Sequence, residues 1–141
     1  MMYDFYFIHG WGFDKTFWRP LKKKIKVHKI CRSTTCLDLN FFSKEKRNKE
    51  QLDSISDNNI FIVHSYGLNW FLKKNLGCKL LINFFGAPDF INLQKSPNLV
   101  KKRIIMMNEQ LNINPERVLR NFYKICNVNF ENKKTINVQK L

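Results

Sequence analysis

Ser65 is the residue best placed to do chemistry. It follows the apolar run Ile60-Phe61-Ile62-Val63 and precedes Tyr66-Gly67 and a stretch with Leu68, Phe71, Leu72 and Leu76 at helical spacing. A serine between a strand and a helix sits on a sharp turn that lifts its hydroxyl off the end of the sheet, the setting of a Gly-x-Ser-x-Gly nucleophile elbow. The second glycine is present as Gly67, and Val63 stands in place of the first. Acyl transfer at such a serine also needs backbone N–H donors aimed at the developing oxyanion. Tyr66, directly after the serine, is expected to supply one. His9-Gly10-Trp11-Gly12, directly after the run Phe5-Tyr6-Phe7-Ile8, is placed to supply the other through Trp11.

A serine hydroxyl also needs a positioned base. In the strand order that carries this elbow the base is a histidine after the serine, with a carboxylate between the two along the chain. His9, His28 and His64 all precede Ser65, and no histidine follows it. His9 is expected to fix the loop that bears it, His64 to point into the surroundings of its strand, and His28 to lie on the surface. Of the later carboxylates, Asp89 falls just past the strand after the elbow, and Glu109, Glu116 and Glu131 fall in helical or tail segments.

The elements that must hold these residues are readable in outline. Phe5 to Ile8 reads as a strand. Asp14 or Thr16 can cap a short helix with Phe17, Trp18 and Leu21, in whose first turn Pro20 is tolerated. The run Lys22-Lys23-Lys24-Ile25-Lys26 reads as that helix's solvated end. A second strand is expected at Val27 to Ile30 or at Cys36 to Leu39, with Ser33-Thr34-Thr35 blurring its limits. A weak helical pattern at Leu52 and Ile55 precedes the turn signal Asp57-Asn58-Asn59. Ile60 to Val63, apolar throughout, suits a strand covered on both faces of a parallel sheet. A helix closed by Gly77 and a strand from Leu80 to Phe85 follow. Two strand-helix-strand units in succession predict a parallel α/β sheet of about four strands whose last strand is an exposed edge. Leu99, Ile104, Met107 and Leu111, then Val118, Leu119, Phe122 and Ile125 beyond Pro115, predict two amphipathic helices with Lys and Arg outward.

Taken together, Phe7-Ile8-His9-Gly10-Trp11-Gly12 with Phe17-Trp18 and Leu21, the elbow His64-Ser65-Tyr66-Gly67, and Ala87-Pro88-Asp89-Phe90 resemble the α/β-hydrolases. The nearest resemblance is to the pimeloyl-[acyl-carrier protein] methyl ester esterases of biotin synthesis. It runs from Phe5 to about Cys126 and includes a lid-like segment with Asn108-Glu109-Gln110-Leu111, Pro115 and Arg120-Asn121-Phe122. Asp38-Leu39 matches the start of a family loop, with Asn40, Phe41 and Phe42 in place of its small residues. The resemblance implies a parallel-sheet α/β-hydrolase fold that stops after a helical lid. It divides into residues 1–92 as the N-terminal half of the core, 93–126 as the lid-like segment and 127–141 as an irregular tail. It implies hydrolysis of a carboxylic ester through an acyl-Ser65 intermediate, with Trp11 and Tyr66 as oxyanion donors. The substrate would be a small acyl ester, presented by an acyl-carrier protein, and no cofactor or metal would be needed.

On this reading the chain is an N-terminal part of the fold, by truncation, gene splitting or decay, and is inactive alone. The alternative is a non-catalytic remnant that binds an acidic protein. Lys102, Arg103, Arg117 and Arg120, with Lys101 and Lys124, are the basic residues on the lid-like helices placed to meet such a partner. A solvated helix face explains them equally well.

Composition bounds the rest. A chain of 141 residues with 44% hydrophobic and 14% aromatic residues has one domain's worth of core. The formal charge of +14 invites a polyanion, and the heavy use of Lys, Asn, Ile and Phe offers codon bias as a competing explanation. None of the recognised nucleic-acid motifs is present, so no nucleic-acid partner is expected. Cys31, Cys36, Cys78 and Cys126 form no C-x-x-C pair and read as reduced, buried thiols. The first residues have neither a basic leader nor a long apolar core, and the stretch Leu80 to Phe85 is too short to span a bilayer, so a cytoplasmic protein without a membrane partner is expected.

Overall fold

The computed structural model describes residues 1–42, 52, 55, 57–130 and 136–141. The chain divides into two compact units, one of Met1–Leu39 and Glu45–Pro88, the other of Asn40–Lys44 and Asp89–Leu141.

The first unit is α/β. Its strands β1 (Tyr3–Ile8), β2 (Cys31–Leu37), β3 (Asn59–His64) and β4 (Leu80–Phe84) form one parallel sheet in the order β2-β1-β3-β4. A 3-10 turn (Lys15–Trp18) leads into α1 (Arg19–Lys26), and α2 (Tyr66–Lys73) follows β3. Alternation of side chains along the central strands sends Phe5, Phe7, Ile60 and Ile62 to one face, where they cluster with Trp18 and with Leu21 and Ile25 of α1. Tyr6 and Phe61 stack at 5.0 Å on the other face, where Phe71 of α2 tilts against Phe61 at 4.9 Å. Helices thus cover both faces, which is why β1 and β3 are apolar without alternation.

Several sequence expectations are met here and some are corrected. Asp14 is the cap of the 3-10 turn, its carboxylate accepting from Thr16 N–H at 2.8 Å, and Pro20 sits in the first turn of α1. The second strand, Cys31–Leu37, misses Val27 to Ile30, overlaps Cys36 to Leu39 only at Cys36 and Leu37, and contains Ser33-Thr34-Thr35 in full. Those polar residues are accommodated because β2 is an edge strand. Ser33 Oγ–H donates to Asp4 at 2.6 Å, and the Arg32 guanidinium forms a two-point pair with the same carboxylate. α2 ends at Lys73, ahead of Gly77, and Asn75 takes the left-handed conformation (φ 50°) expected of a terminating glycine. Cys78 and Cys126 are exposed rather than buried. The helical pattern at Leu52 and Ile55 falls among residues most of which lie outside those described.

β4 is the other edge. Leu80 is 49% and Phe84 40% exposed, so an apolar strand borders solvent along its free side.

The second unit is helical. α3 (Pro97–Ile113) and α4 (Pro115–Ile125) both carry proline in their first turns, where the missing N–H costs nothing. Asn114 joins them: its N–H donates to Gln110 O at 2.8 Å, and its side chain accepts from Arg117 N–H at 3.0 Å. Leu111, Leu119 and Tyr123 are buried, whereas Leu99 and Ile125 face solvent. Residues 136–141 are anchored by Asn137 N–H donating to Phe41 O at 2.8 Å. Among the described residues no helix is long and apolar enough to cross a membrane.

Candidate active site

Ser65 stands between the end of β3 and the first turn of α2 with φ 50° and ψ −121°. That pair lies outside the basins open to a residue with a Cβ, including the left-handed helical one, and such conformations cost on the order of 1–3 kcal/mol. Surrounding structure holds it there. Ser65 N–H donates to Phe84 O at 2.9 Å, and Ser65 O accepts from Leu68 N–H at 3.0 Å.

Three glycines make the turn possible. A Cβ on Gly67 would lie 2.8 Å from the carbonyl oxygens of both Ile8 and His9. One on Gly10 would lie 2.7 Å from His64 Nδ1 and 3.1 Å from Ser65 Cβ. One on Gly86 would lie 2.9 Å from Ser65 O and 2.6 Å from Leu68 Cβ. The loop after β1, the elbow after β3 and the turn after β4 therefore meet backbone to backbone at the C-terminal ends of three adjacent strands, where ligands of open α/β sheets bind.

The donors expected from sequence lie in this junction. Tyr66 is the first residue of α2, and N–H groups of a first helical turn lack intrahelical acceptors and carry the positive end of the helix dipole. Trp11 lies in a turn closed by Phe13 N–H donating to Gly10 O at 3.4 Å, with Gly12 at φ 71°. A positive φ at the third position of a four-residue turn is the usual place for glycine.

His9 is fully buried, and both ring nitrogens are engaged. Nε2 accepts from Leu39 N–H at 3.0 Å, and Nδ1–H donates to Gly10 O at 2.9 Å. Asp38 Oδ1 lies 3.5 Å from Nε2. The closer amide donor makes Nε2 the acceptor and the ring the neutral Nδ1–H tautomer. His9 thus tethers the loop after β1 to the end of β2, as the sequence suggested, and has no nitrogen left to serve Ser65.

His64 faces an aromatic cluster, stacking on Phe17 at 4.6 Å and meeting Phe13, Trp18 and Phe85 edge-on. Its Nδ1 is buried against Gly10 without a hydrogen-bond partner. Burial holds its pKa below the usual histidine value, which keeps the ring neutral.

The basic residues expected to meet a partner are in the helical unit. Lys102 and Arg103 lie exposed on α3, and Arg117 and Arg120 lie exposed on α4. Arg120 is paired with Glu116 one turn away at 2.6 Å, and its guanidinium lies 5.0 Å from the centre of the Phe130 ring. His28 is on the surface as expected.

Sequence reasoning missed the turn after β4. In sequence Asn83 is the one polar residue of the run Leu80 to Phe85. Its side chain accepts from Gly86 N–H at 3.0 Å and donates to Gly86 O at 2.8 Å, closing the turn that packs on Ser65. Asn69 of α2 donates to Ala87 O and Pro88 O at 3.3 and 3.0 Å, fixing the same segment. Phe85 is the strained member of this turn, at φ 59° and 89% exposed. An asparagine inside an apolar strand run, three residues before a glycine, was the available signal. Compared with known proteins, the chain matches no family model, no curated protein and no solved structure.

Proposed function

We propose that this chain carries the nucleophile and oxyanion half of a serine carboxylesterase of the α/β-hydrolase type. The observation that supports this most is the disfavoured backbone of Ser65, braced by three close-packed glycines next to the loop that bears Trp11. In the reaction Ser65 Oγ attacks the ester carbonyl, the alcohol leaves with a proton, and water then releases the acid from acyl-Ser65. N–H groups of Trp11 and Tyr66 stabilise the oxyanion of each tetrahedral intermediate. The substrate class is a small acyl ester, and the sequence resemblance favours a methyl ester held on an acyl-carrier protein. No histidine follows Ser65, and His9 is committed to its loop, so the acid and base come from outside these 141 residues. Without them an oxyanion hole and substrate binding still give about 10³–10⁴-fold over water in triad serine proteases of other folds.

The test is covalent labelling. A fluorophosphonate should modify Ser65 alone, faster when imidazole supplies a base from solution, and Ser65→Ala should abolish the adduct. No adduct in the presence of imidazole would sink the proposal.

The missing base also favours a second reading, a non-catalytic protein that binds an acidic partner through α3 and α4. It requires salt-sensitive association with acyl-carrier protein that Lys102→Glu and Arg117→Glu weaken, in a chain whose Ser65 does not label.

A further inference from the structure

The strongest feature outside the elbow is a groove of about 660 Å³ between α1 and the edge strand β2, in the first unit. Lys15, Arg19, Lys22, Lys23 and Lys26 line it on the helical side and Cys36 on the strand side. No carboxylate is among the described residues that line it.

Three observations set these cations apart from an ordinary solvated face. First, Arg19, Lys22, Lys23 and Lys26 stand at i, i+3, i+4 and i+7, so they form one stripe along two turns, a rise of about 10 Å. Second, α1 contains no acidic residue, and the like charges Arg19/Lys23 and Lys22/Lys26 are one turn apart, an arrangement that works against the helix. Third, Lys23, Lys24 and Lys26 complement the dipole at the C-terminal end, but Arg19 and Lys22 occupy the first turn, where the dipole disfavours a cation. Local helix stability therefore does not account for the stripe. A ligand that repeats negative charge along it does.

We infer that the α1/β2 groove is a docking site for an acidic helix of a partner protein. Carboxylates one turn apart on such a helix recur at about 5.4 Å, the pitch at which the α1 cations recur. A single phosphate group would meet only part of a stripe two turns long. No aromatic side chain is among the described residues that line the groove, which therefore offer no stacking platform of the kind on which single-stranded nucleic acid depends. The site is distinct from the basic residues of α3 and α4 and does not depend on Ser65 being reactive.

The test uses the full chain and a fluorescent synthetic helical peptide with Glu at i, i+3, i+4 and i+7, read by anisotropy at several salt concentrations. Binding should weaken steeply with salt. Lys22→Glu/Lys26→Glu should weaken it at least tenfold, whereas Lys101→Glu/Lys102→Glu on α3 should leave it within twofold. A peptide with Lys at the same positions should bind the Lys22→Glu/Lys26→Glu chain better than the original, a gain that a misfolded variant would not show. Equal binding of a scrambled peptide of the same composition, indifference to the α1 substitutions, or tighter binding of a short RNA of equal charge would each overturn the inference.

Discussion

At the scale of single residues, the elbow depends on positions where a methyl group has nowhere to go. Gly67→Ala sets a Cβ against the carbonyl oxygens of Ile8, at the end of β1, and of His9, at the start of the loop after it, and backbone cannot swing aside as a side chain can. The expected loss is roughly 1–3 kcal/mol, read as a lower midpoint in urea, the usual size for overpacking. Gly77→Ala, with nothing within 4 Å, is the control and should cost far less. His64 makes a pH prediction. Its folded-state pKa lies below the free value of 6.5, so the unfolded chain binds that proton more tightly. Its stabilising contribution is complete above about pH 6.5 and is lost as pH falls through the folded value. His64→Phe should flatten the fall in melting temperature over that acid range, and equal slopes in both proteins would refute the assignment. Ser65 and Gly67 were legible because a strand-to-helix turn is local chemistry. Gly86 and Asn83 were not, because what they brace lies some 20 residues back along the chain and becomes a neighbour only once β3 and β4 pair.

At the scale of elements, legibility followed burial on both faces. β1 and β3 are central and carry unbroken apolar runs, Phe5 to Ile8 and Ile60 to Val63, and they stand out in the sequence. β2, at the edge, has a serine and an arginine where a core strand would have valines, because both bind Asp4 of the neighbouring strand. No local pattern reveals a polar residue whose partner is a strand away. The end of α2 misled for a different reason, since Asn75 does at no great cost what glycine is expected to do two residues later. The free side of β4 carries its own prediction. Exposed apolar edges pair with other chains, and a lysine at the edge is the usual protection. Leu80→Lys should reduce concentration-dependent light scattering while leaving the melting temperature within about 1 °C, as fits a half-exposed position. Unchanged scattering would show that association runs through another surface.

At the scale of the whole molecule, the formal charge of +14 works against compaction as well as inviting acidic partners. Added salt should raise the melting temperature at first, because a Debye length of about 10 Å at 0.1 M screens repulsion across the surface. If sodium chloride from 10 to 200 mM leaves it unchanged, repulsion is not a significant burden on the fold. Strand order has a further consequence, for the chain as it is made. β1 is made before both of the strands that flank it, and the one that carries the elbow, β3, ends only at His64. At a synthesis rate of about 5–20 residues per second, Phe5-Tyr6-Phe7-Ile8 waits some seconds before it can be enclosed. For that interval a strand of the protein's core is exposed in a nascent chain, and folding chaperones that bind short hydrophobic stretches would meet it before its own sheet does.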